Sequence, residues 1–500
     1  MYYALTSEEM KECDSFTIKN LRPSIELMET AGTNFYDEII KYINKNEKIL
    51  VVAGGGGNGG DALVVARHLY NNGYNVETFI SSSHLKEETL INKDRYDGKL
   101  ISYDEFLKND YDVIVDGLLG ANLSVQINEK TKAIINAIND KKARVFSIDI
   151  ASGIDASSGK NLGAFVHSFL TVAIEAFKIG HFFFDGKNSY EKLSLVSANV
   201  ELINKENYLN ILKRVDFCRV FEKRDKNSNK GTYGKVALVG GSKLTPGAIL
   251  LSNNSLASLR VGAGYSRLFI PRSLYEIYAL HYPEIIYETL SDENGKIVFV
   301  EEEINKLLAY DSIAIGMGIG TSIEVYKIIK FLCSNYHGNL LIDADGLNSL
   351  ARFGKVEDLK ESKCKNIVLT PHIKEFSRLI KNDDLIYIKE NAIYLAKKFA
   401  KDNKVILVLK DSTSIISDGT TTYLNINGNP SLAKGGSGDI LSGIIAGLIS
   451  KKENILFNVA CSCYLLGEAS DLAIKENNEN TLIATDITRY LMIAVNELTK

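Results

Sequence analysis

Short apolar runs alternate with longer amphipathic segments along most of the chain. In the first 200 residues, five runs rich in β-branched side chains are predicted to be buried strands: 48–53, 75–80, 112–117, 144–150 and 169–176. The segments 62–72 and 129–139 between them have helical periodicity. Apolar strands that alternate with helices are typical of parallel sheets with helices on their faces, so this half is predicted to be α/β.

A second series of the same kind follows in the rest of the chain. Its predicted strands are 235–241, 265–271, 312–318, 339–345, 366–370 and 404–410. The segment 221–234 between the two series is polar, charged and without periodicity, which indicates a linker. We therefore predict two α/β domains, 1–220 and 221–500.

Composition restricts the function classes. Of the 500 residues, 45% are hydrophobic and 24% are charged, and 58 basic against 62 acidic residues give a formal net charge of −4. This excludes a disordered chain and offers nucleic acid or an anionic membrane no general attraction, so a small-molecule partner is expected. The apolar segment 440–449 is far shorter than the roughly 20 residues that span a bilayer.

The compartment is predicted from the amino terminus and the cysteines. Residues 1–15 carry no basic region followed by an apolar run, so no secretory signal is expected and a cytoplasmic location is predicted. The six cysteines form no CxxC pair, which favours buried, reduced thiols over metal ligands.

The first glycine-rich segment, GGGGNGGD at 54–61, lies between a predicted strand and a predicted helix. Such a loop exposes backbone amides at the positive end of a helix, where anions bind. It also fits the GxGxxG pattern of an NAD-dependent dehydrogenase with Glu77 on a ribose, but four consecutive glycines meet that pattern by chance. Asp61, at the predicted helix start, would compete with a pyrophosphate for the amides, so a different chemistry is favoured.

Polar residues follow the next strands of this half. Asp116, Asp149 and Ser152 come at the carboxyl ends of two predicted strands, where open parallel sheets bind ligands. Any one of these residues could be a simple loop cap, but several at one crevice favour a site. Asn58, Asp116 and Ser152 would together offer hard oxygen atoms to a cation.

The second glycine-rich segment, GNPSLAKGGSGDILSG at 428–443, opens an apolar predicted helix. The amides of 435–438 would form an anion hole, and Asp439 beside it could take a hydroxyl proton during phosphoryl transfer. A structural helix start with a tight glycine turn is the alternative. Lys410, Ser412 and Thr413 follow another strand and could lie near nucleotide phosphates.

Five segments of the first half resemble the epimerase domain of NAD(P)H-hydrate repair enzymes: LMETAG (27–32), GNGGDALVVARHL (57–69), DGLLGANLS (116–124), DIASGID (149–155) and FKIGHF (177–182). The resemblance implies a Rossmann-like three-layer sandwich, a catalytic Asp149, and potassium on Asn58, Asp116 and Ser152. It also implies substrate contacts by Gly57, Asn58, Gly59, Gly60, Asp61, Gly120, Ala121, Asn122, Leu123, Ser124, Val125, Gln126 and Asp149. In such a domain Asp149 would move a proton while the C6 hydroxyl epimers of the hydrated nucleotide interconvert.

The second half resembles the ribokinase-like dehydratase domain of the same enzymes, on the segments KGTYGKVALVGGS (230–242), GMGIG (316–320), LIDADGLN (341–348), LTPHIKEF (369–376) and GNPSLAKGGSGDILSG (428–443). The resemblance implies ADP- or ATP-dependent dehydration of the S hydrate with Mg²⁺, with Asp439 as the base and with Gly318, His372 and Asp439 contacting substrate. The nucleotide residues that it implies are Lys410, Asp411, Ser412, Thr413, Ser414, Asn429, Lys434, Gly435, Gly436, Ser437 and Gly438.

Three hypotheses for the whole chain follow. A bifunctional repair enzyme, acting on NAD(P)H hydrate with ADP or ATP, accounts for both halves. A small-molecule kinase of the ribokinase type, fused to a non-catalytic nucleotide-binding domain, is the alternative. A nucleotide-binding module without turnover is the third. Fused domains of this resemblance suggest a homo-oligomer.

Overall fold

The computed structural model describes residues 1–221, 224–253, 257–280, 284–451 and 453–499. The chain divides into two compact units, Tyr2–Leu209 and Asn210–Lys500, and the second also holds Met1. We call them the amino-terminal and the carboxyl-terminal unit. The functional domain limits 1–220 and 221–500 stay predictions.

The amino-terminal unit is built on a seven-stranded sheet in the order β4-β3-β2-β5-β6-β7-β9, and the paired strands run parallel. Its strands are β1 (Tyr2–Leu5), β2 (Lys48–Ala53), β3 (Asn75–Ile80), β4 (Lys99–Ile101), β5 (Val113–Gly117), β6 (Arg144–Ile148), β7 (Ser168–Ile174), β8 (Phe177–Lys178) and β9 (Tyr190–Val196). β1 pairs with β8 in parallel and does not belong to this seven-stranded sheet. The strand order reverses between β2 and β5, which is where doubly wound sheets bind ligands.

Helices cover both faces of this sheet. They are α1 (Ser7–Asn20), α2 (Ser24–Ile39), α3 (Gly57–Asn71), α4 (Glu87–Asp94), α5 (Tyr103–Lys108), α6 (Glu129–Asn139) and α7 (Phe184–Asn188). Phe35 of α2 and Leu63 of α3 share one core cluster with the strands, whereas Phe106 of α5 and Ile134 of α6 share another. Alternate residues of β2 enter the two clusters, which confirms the three-layer, Rossmann-like sandwich.

The carboxyl-terminal unit repeats this plan with more strands. The strand β10 (Leu209–Ile211) spans the boundary, and the unit continues with β11 (Lys235–Val239), β12 (Tyr265–Pro271), β13 (Ile286–Leu290), β14 (Asp292–Glu293), β15 (Lys296–Ile297), β16 (Ser312–Ile315), β17 (Asn339–Ile342), β18 (Asn366–Leu369), β19 (Ile406–Leu409), β20 (Ser414–Ser417) and β21 (Thr422–Asn425). The main sheet runs β13-β12-β11-β16-β17-β18-β19-β20-β21. It is parallel as far as β19 and ends in the antiparallel strands β20 and β21. Here the order reverses between β11 and β16.

The helices of this unit are α8 (Arg214–Phe217), α9 (Pro246–Asn253), α10 (Ala257–Arg260), α11 (Tyr275–Ala279), α12 (Glu301–Ile304), α13 (Ile323–Asn335), α14 (Ala344–Phe353), α15 (Ile373–Ile380), α16 (Leu385–Glu390), α17 (Ala392–Asn403), α18 (Ser437–Ile449), α19 (Ile455–Ala473) and α20 (Ala484–Leu498). α18 lies in a large core cluster, where Ile440, Ile444 and Leu448 are fully buried beside strand residues such as Leu238 and Ala314. The predicted α/β fold of this half is confirmed.

Most predicted elements are present with small shifts in their ends. The strands 48–53, 75–80 and 265–271 and the helix 129–139 are reproduced to the residue. The helix predicted at 62–72 begins five residues earlier, at Gly57, because the glycines that suggested a loop form its first turn. Within the described residues, no helix is long and apolar enough to cross a membrane.

All six cysteines are free thiols, as predicted. The prediction that they are buried is wrong for two of them, because Cys218 is exposed and Cys364 is only half-buried.

Candidate functional site

The glycine-rich loop of the amino-terminal unit packs backbone against backbone at the strand-order reversal. The Gly54 N–H donates to the Gly117 carbonyl at 3.0 Å, and a Cβ on Gly54 would lie 2.0 Å from the Leu118 carbonyl oxygen. In contrast, a Cβ on Gly56 or Gly57 would meet nothing within 4 Å. No side chain caps α3, so its first amides face this open space and can bind an anion.

Asp116, at the end of β5, is a fully buried carboxylate. Its Oδ1 accepts from Ser152 Oγ at 2.6 Å and from the Leu118 N–H at 3.2 Å. Its Oδ2 accepts from Ser147 Oγ at 2.8 Å and from the Ser152 N–H at 3.0 Å. Burial raises the pKa of Asp116, and these hydrogen bonds oppose the rise. The carboxylate therefore ties the loop after β6 to the end of β5.

The predicted cation ligands do come together around Leu119. Its carbonyl accepts from Asn58 Nδ2 at 2.7 Å and from Ser152 Oγ at 3.2 Å, and its N–H donates to the same Ser152 oxygen at 2.8 Å. With Asp116, the group supplies carboxylate, hydroxyl, amide and carbonyl oxygens, and no cation among the described residues pairs with Asp116. This donor set fits a hard cation. The described part of the chain holds no cluster of three or more His, Cys, Asp or Glu that could hold a metal ion.

Asp149 lies just beyond β6 in the left-handed backbone region, with φ 65°. Its N–H donates to the Val172 carbonyl at 2.8 Å, and its carbonyl binds His181 Nε2 at 2.9 Å. Because His181 Nδ1 accepts from the Lys178 N–H at 3.0 Å, the Nε2 atom carries the proton and donates. Burial, aided by Lys178, lowers the pKa of His181 to about 4, so the ring is neutral and fixes the Asp149 backbone.

The Asp149 carboxylate is held by a buried lysine. Lys178 is 1% exposed, and its Nζ donates to Asp149 Oδ1, to the Ile174 carbonyl at 2.9 Å and to the Ala176 carbonyl at 3.2 Å. The Ile174 N–H also donates to Asp149 Oδ1, at 3.0 Å. The three ammonium protons of Lys178 are thus all committed, and the Asp149 carboxylate is fixed in position by the lysine and by the Ile174 N–H.

Two further carboxyl groups belong to the same charged cluster. Asp61 lies in the second turn of α3 and not at its start. The prediction that it competes with an anion for the first amides of the helix is therefore wrong. Burial raises its pKa well above the ordinary value, and Asp149 and Asp14 add to the rise. Burial also raises the pKa of Asp14, on α1, to about 6, with Lys178 opposing and Asp149 adding. Asp14, Lys178 and His181 were not predicted as site residues.

The predicted substrate segment 120–126 begins beside Asn58. A Cβ on Gly120 would lie 3.1 Å from Asn58 Cβ, and the Ala121 carbonyl accepts from Ser7 Oγ, at the start of α1, at 2.6 Å. The remaining members, from 122 to 126, are mostly exposed, with Val125 64% exposed. The segment is therefore anchored at Gly120 and Ala121 and open to solvent beyond them.

Glu77 does not have the place that a dehydrogenase would require. Its carboxylate accepts from Lys99 at 2.6 Å and from the Tyr111 hydroxyl at 2.8 Å, and Lys48 lies 3.4 Å away. Although burial opposes it, these partners lower the pKa of Glu77 to about 2. Since the carboxylate is committed to this network, no ribose contact is supported.

In the carboxyl-terminal unit, the glycine run opens α18. Gly436 is the N-cap with φ 99°, no side chain caps the helix, and Asp439 lies in its first turn. The Ser437 hydroxyl is buried and has no hydrogen-bond partner in the described structure. Open amides and an unpartnered buried hydroxyl at one helix start form a cradle that fits a phosphate group.

Lys410, after β19, connects this cradle to β17. Its Nζ donates to Asp343 Oδ1 at 3.0 Å, and Asp343 Oδ2 accepts from Ser442 Oγ at 2.7 Å. A Cβ on Gly438 would lie 3.4 Å from Lys410 Nζ, which places the ammonium against the first turn of α18. Burial opposes ionisation of Asp343, but Lys410 and Ser442 lower its pKa below the ordinary value.

Asp439 has the opposite environment. Burial raises its pKa to about 7, Asp343, Asp345 and Glu375 add to the rise, and Lys410 opposes it. A carboxyl group with a pKa near neutrality can exchange protons at physiological pH, as a general base must. Asp343 and Asp439 thus differ in pKa, because Lys410 donates a hydrogen bond to Asp343 and acts on Asp439 only through its charge.

His372 follows β18 and caps α15. Its Nδ1 accepts from the backbone N–H groups of Lys374 and Glu375 at 3.1 and 3.2 Å, and the backbone N–H of His372 donates to Glu375 Oε2 at 2.9 Å. Because Nδ1 accepts, the ring proton is carried by Nε2. Burial, and then Lys410 and Arg378, lower the pKa of His372. The ring is half-exposed, and its backbone bridges to Lys410.

Gly318 lies in the loop after β16, with φ 64°, and its carbonyl accepts from Thr245 Oγ1 at 2.8 Å. In the same loop the Gly320 N–H donates to Asp345 Oδ2 at 2.9 Å. Asp345 in turn adds to the raised pKa of Asp439. The loop is therefore linked electrostatically to the cradle.

The other predicted nucleotide residues differ in what they can offer. Lys434 Nζ donates to the carbonyls of Asn480 and Leu482, and Asn429 Nδ2 donates to Ser470 Oγ and to Asp471 Oδ1 at 2.9 Å. The side chains of both are thus engaged by the protein. Asp411 pairs with Lys389 at 3.6 Å. Ser412 and Thr413 form the turn before β20, which Ser414 begins, and Gly435 has open space around it.

Together these features define an α/β enzyme with buried carboxylates at the carboxyl ends of parallel strands in each unit, such as Asp116 at the end of β5 and Asp343 after β17. A family model described as NAD(P)H-hydrate dehydratase matches residues 236–492, and one described as YjeF-related protein N-terminus matches residues 24–180. The chain is 30% identical to the bifunctional NAD(P)H-hydrate repair enzyme Nnr of Moorella thermoacetica, over 99% of this chain and 97% of that protein. The enzyme of the same name from Dictyoglomus turgidum is also 30% identical, over 99% and 98% of the two chains.

A solved structure matches the carboxyl-terminal unit. The ADP/ATP-dependent NAD(P)H-hydrate dehydratase from Bacillus subtilis, co-crystallized with ATP/Mg²⁺, is 26% identical with a TM-score of 0.50 and covers 58% of this chain and 99% of that one. The chain belongs to the family of bifunctional NAD(P)H-hydrate repair enzymes.

Proposed function

We propose that the carboxyl-terminal unit dehydrates the S form of NAD(P)H hydrate with ADP or ATP. The observation that carries this proposal is the position of Asp439. Its carboxyl group has a pKa of about 7 and lies in the first turn of a helix whose start is uncapped and has an unpartnered buried hydroxyl. A base next to an anion cradle suits phosphorylation of a hydroxyl, because one group takes the proton while the other stabilises the developing charge. Binding of ATP/Mg²⁺ by the similar Bacillus subtilis enzyme supports the nucleotide.

In this mechanism Asp439 takes the C6 hydroxyl proton as the oxygen attacks the terminal phosphorus. The bond from that phosphorus to the bridging oxygen breaks, and AMP leaves from ADP, or ADP from ATP. The amides at the start of α18, Ser437 Oγ and the Lys410 ammonium hold the transferred phosphoryl group. The C6–O bond then breaks with its electrons leaving on phosphate, C5 loses a proton, and the C5=C6 double bond of NAD(P)H is restored. Mg²⁺ bound with the nucleotide would neutralise phosphate charge during the transfer.

The products separate this proposal from the alternative of a small-molecule kinase. With ADP or ATP and the S hydrate of NADH, the NADH absorbance is expected to return with one orthophosphate per NADH. A stable phosphorylated product without absorbance would favour the kinase. Asp439→Asn is expected to lose the activity about 10²–10⁴-fold while still binding nucleotide. The exposed Asp383→Asn is the matched control, and unchanged turnover in Asp439→Asn would contradict the proposal.

We also propose that the amino-terminal unit epimerises the R and S hydrates, with Asp149 moving a proton at C6. The pair of Asp149 with the buried Lys178 supports this role, because the lysine fixes the position of the carboxylate that would act as the base. Potassium on Asp116, Ser152, Asn58 and the Leu119 carbonyl would complete the oxygen set and offset the buried Asp116 charge near the substrate loop.

The R hydrate tests the epimerase. It is expected to be consumed faster by the wild-type chain than by Asp149→Ala, with the exposed Asp97→Asn as control. Equal rates for wild type and Asp149→Ala would contradict the epimerase proposal. Replacement of K⁺ by a bulky organic cation is expected to slow R-hydrate consumption and leave dehydration of the S hydrate unchanged. A homo-oligomer and a cytoplasmic location stay predictions.

A further inference from the structure

The cluster around Lys178 holds one more carboxyl group than a single-base mechanism uses. Asp14 lies on the inward face of α1, one residue after the buried Cys13 and four after the buried Met10. The first turn of α1 is fixed to the site, since Ser7 Oγ donates to the Ala121 carbonyl at 2.6 Å and the Ser7 N–H donates to Ser157 Oγ at 2.9 Å. The helix that carries Asp14 is therefore anchored at its first turn to the proposed substrate loop.

The charged groups around Asp14 are mostly negative, and the positive one is already engaged. Lys178 is the cation of the cluster, and its three protons already go to Asp149 and to two backbone carbonyls. Glu175 and Asp149 add negative charge, and Asp61 belongs to the same cluster. Glu175 is held by the Ser197 hydroxyl at 2.8 Å and by backbone amides. Burial with these neighbours raises the pKa of Asp14 to about 6.

The reaction at C6 requires two proton-transfer groups. C6 of the hydrate carries the hydroxyl and is bonded to the ring nitrogen, so inversion can occur by loss of water and its return to the other face. The departing oxygen needs an acid, and the water that adds to the opposite face needs a base. One carboxylate on one element cannot reach both faces of a ring at once.

Resting on the epimerase proposed above, we propose that Asp14 is its second catalytic residue, the acid that protonates the leaving C6 hydroxyl while Asp149 is the base for the returning water. The C6–O bond breaks as the Asp14 proton goes to oxygen, and the nitrogen lone pair forms a C6=N bond. Water then bonds to C6 from the Asp149 side, the C=N electrons return to nitrogen, and Asp149 takes the proton. The roles are reversed for the opposite epimer.

Asp14 is favoured over Asp61 by its position, because the helix that carries it contacts the proposed substrate loop through Ser7 Oγ and the Ala121 carbonyl. Burial raises the pKa of Asp14 to about 6, so this group can give and regain a proton at neutral pH. The two residues lie on different helices, α1 and α3, so substitutions of Asp14 and of Asp61 can be made separately and their effects on the rate compared.

The test measures consumption of the R hydrate across pH 5–9 in wild type, Asp14→Asn, Asp14→Glu, Asp61→Asn and the exposed Glu12→Gln control on the same helix. Asp14→Asn is expected to be slower by 10²–10⁴-fold at pH 6 and to lose the fall in rate that the wild type shows above about pH 6. Asp14→Glu is expected to recover part of the rate. In H₂¹⁸O the wild type is expected to incorporate one solvent oxygen per epimerisation.

Several results would overturn the assignment. A wild-type rate and pH profile in Asp14→Asn would exclude Asp14 as the acid. Loss of rate in Asp61→Asn but not in Asp14→Asn would exclude it as well. Equal slowing in Asp14→Asn and Glu12→Gln, or no recovery in Asp14→Glu, would mean a structural role. Epimerisation without ¹⁸O incorporation would exclude water loss. The wild type is measured before any variant. If it does not consume the R hydrate, the proposed epimerase activity itself is wrong, and this result is distinct from a failure of the Asp14 assignment alone.

Discussion

Lys410 Nζ donates to Asp343 Oδ1 at 3.0 Å, while Asp439 shares the field of both residues without holding either directly. Asp343→Asn removes a negative neighbour and frees the ammonium to attract Asp439. Both changes lower the pKa of Asp439 from about 7. Because the base must be deprotonated, the rising limb of the pH–rate profile for dehydration is expected to move to lower pH.

The control for this prediction is Asp402→Asn, which removes an exposed aspartate paired with Lys398 at 2.7 Å. That variant is expected to leave the pH profile unchanged, since exposed pairs contribute little. An unshifted limb in Asp343→Asn would show that Asp343 does not set the protonation of Asp439.

Ser437→Ala is expected to weaken nucleotide binding without destabilising the free protein. The hydroxyl is buried and unpartnered at the start of α18, so its removal costs no internal hydrogen bond. The loss of one phosphate contact corresponds to about a five- to tenfold rise in Kd for ADP or ATP, measured by calorimetry. Ser442→Ala is the contrast, because it breaks the 2.7 Å bond to Asp343 and should lower Tm even without nucleotide. An unchanged Kd in Ser437→Ala would exclude Ser437 from the cradle.

Two glycines of the first loop are expected to respond in opposite ways to alanine. A Cβ on Gly54 would lie 2.0 Å from the Leu118 carbonyl oxygen, so Gly54→Ala should cost about 1–3 kcal/mol or more of unfolding free energy. Gly57→Ala meets nothing within 4 Å and lies in the first turn of α3, where alanine should be neutral or stabilising by up to ~1 kcal/mol. Urea unfolding followed by circular dichroism measures both. Equal effects would mean that the loop relaxes around the added methyl group.

His181 predicts a pH dependence of stability. Its pKa in the folded chain is about 4, below the ordinary 6.5 of the unfolded chain, so the unfolded state binds the proton more tightly. Its contribution is fully present above pH 6.5 and is lost as the pH falls toward 4, by about 2 kcal/mol at pH 5. His181→Gln should therefore flatten the pH dependence of the unfolding free energy in this range. The exposed His167→Gln should leave it unchanged, and equal slopes in all three proteins would contradict the assignment.

The sequence predicts the strand framework well because its strands are buried on both faces and read as continuous apolar runs. β2, β3 and β12 are found at the predicted residues. The short edge strand β4 and the hairpin β20–β21 were not predicted. Such strands have few apolar residues, and their pairing depends on neighbours distant in the chain.

The site was predicted where chemistry coincides with a strand end or a glycine run, as for Asp116, Ser152 and Asp439. Asp14 and Lys178 were missed for a physical reason: Asp14 is buried near Lys178 and Asp149, more than 100 positions away, and Lys178 meets Asp149 only because β8 folds back beside the end of β6. The spacing of Asp14 from Met10 signals an inward carboxylate on α1, but the pattern does not show what that face meets. Lys434 shows the reverse case, since a lysine beside a glycine run suggested a phosphate contact and the fold gives its ammonium to backbone carbonyls.

The uncapped start of α18 has a consequence for the lifetime of the protein. A fold that leaves backbone amides and a buried hydroxyl unsatisfied is less stable than it could be, and the nucleotide proposed above would offset the difference by mass action. We therefore expect resistance to heat and to proteolysis to rise with the concentration of ADP or ATP. Chains with an empty cradle would be cleaved faster than occupied ones, so the lifetime of the protein would follow the concentration of its ligand.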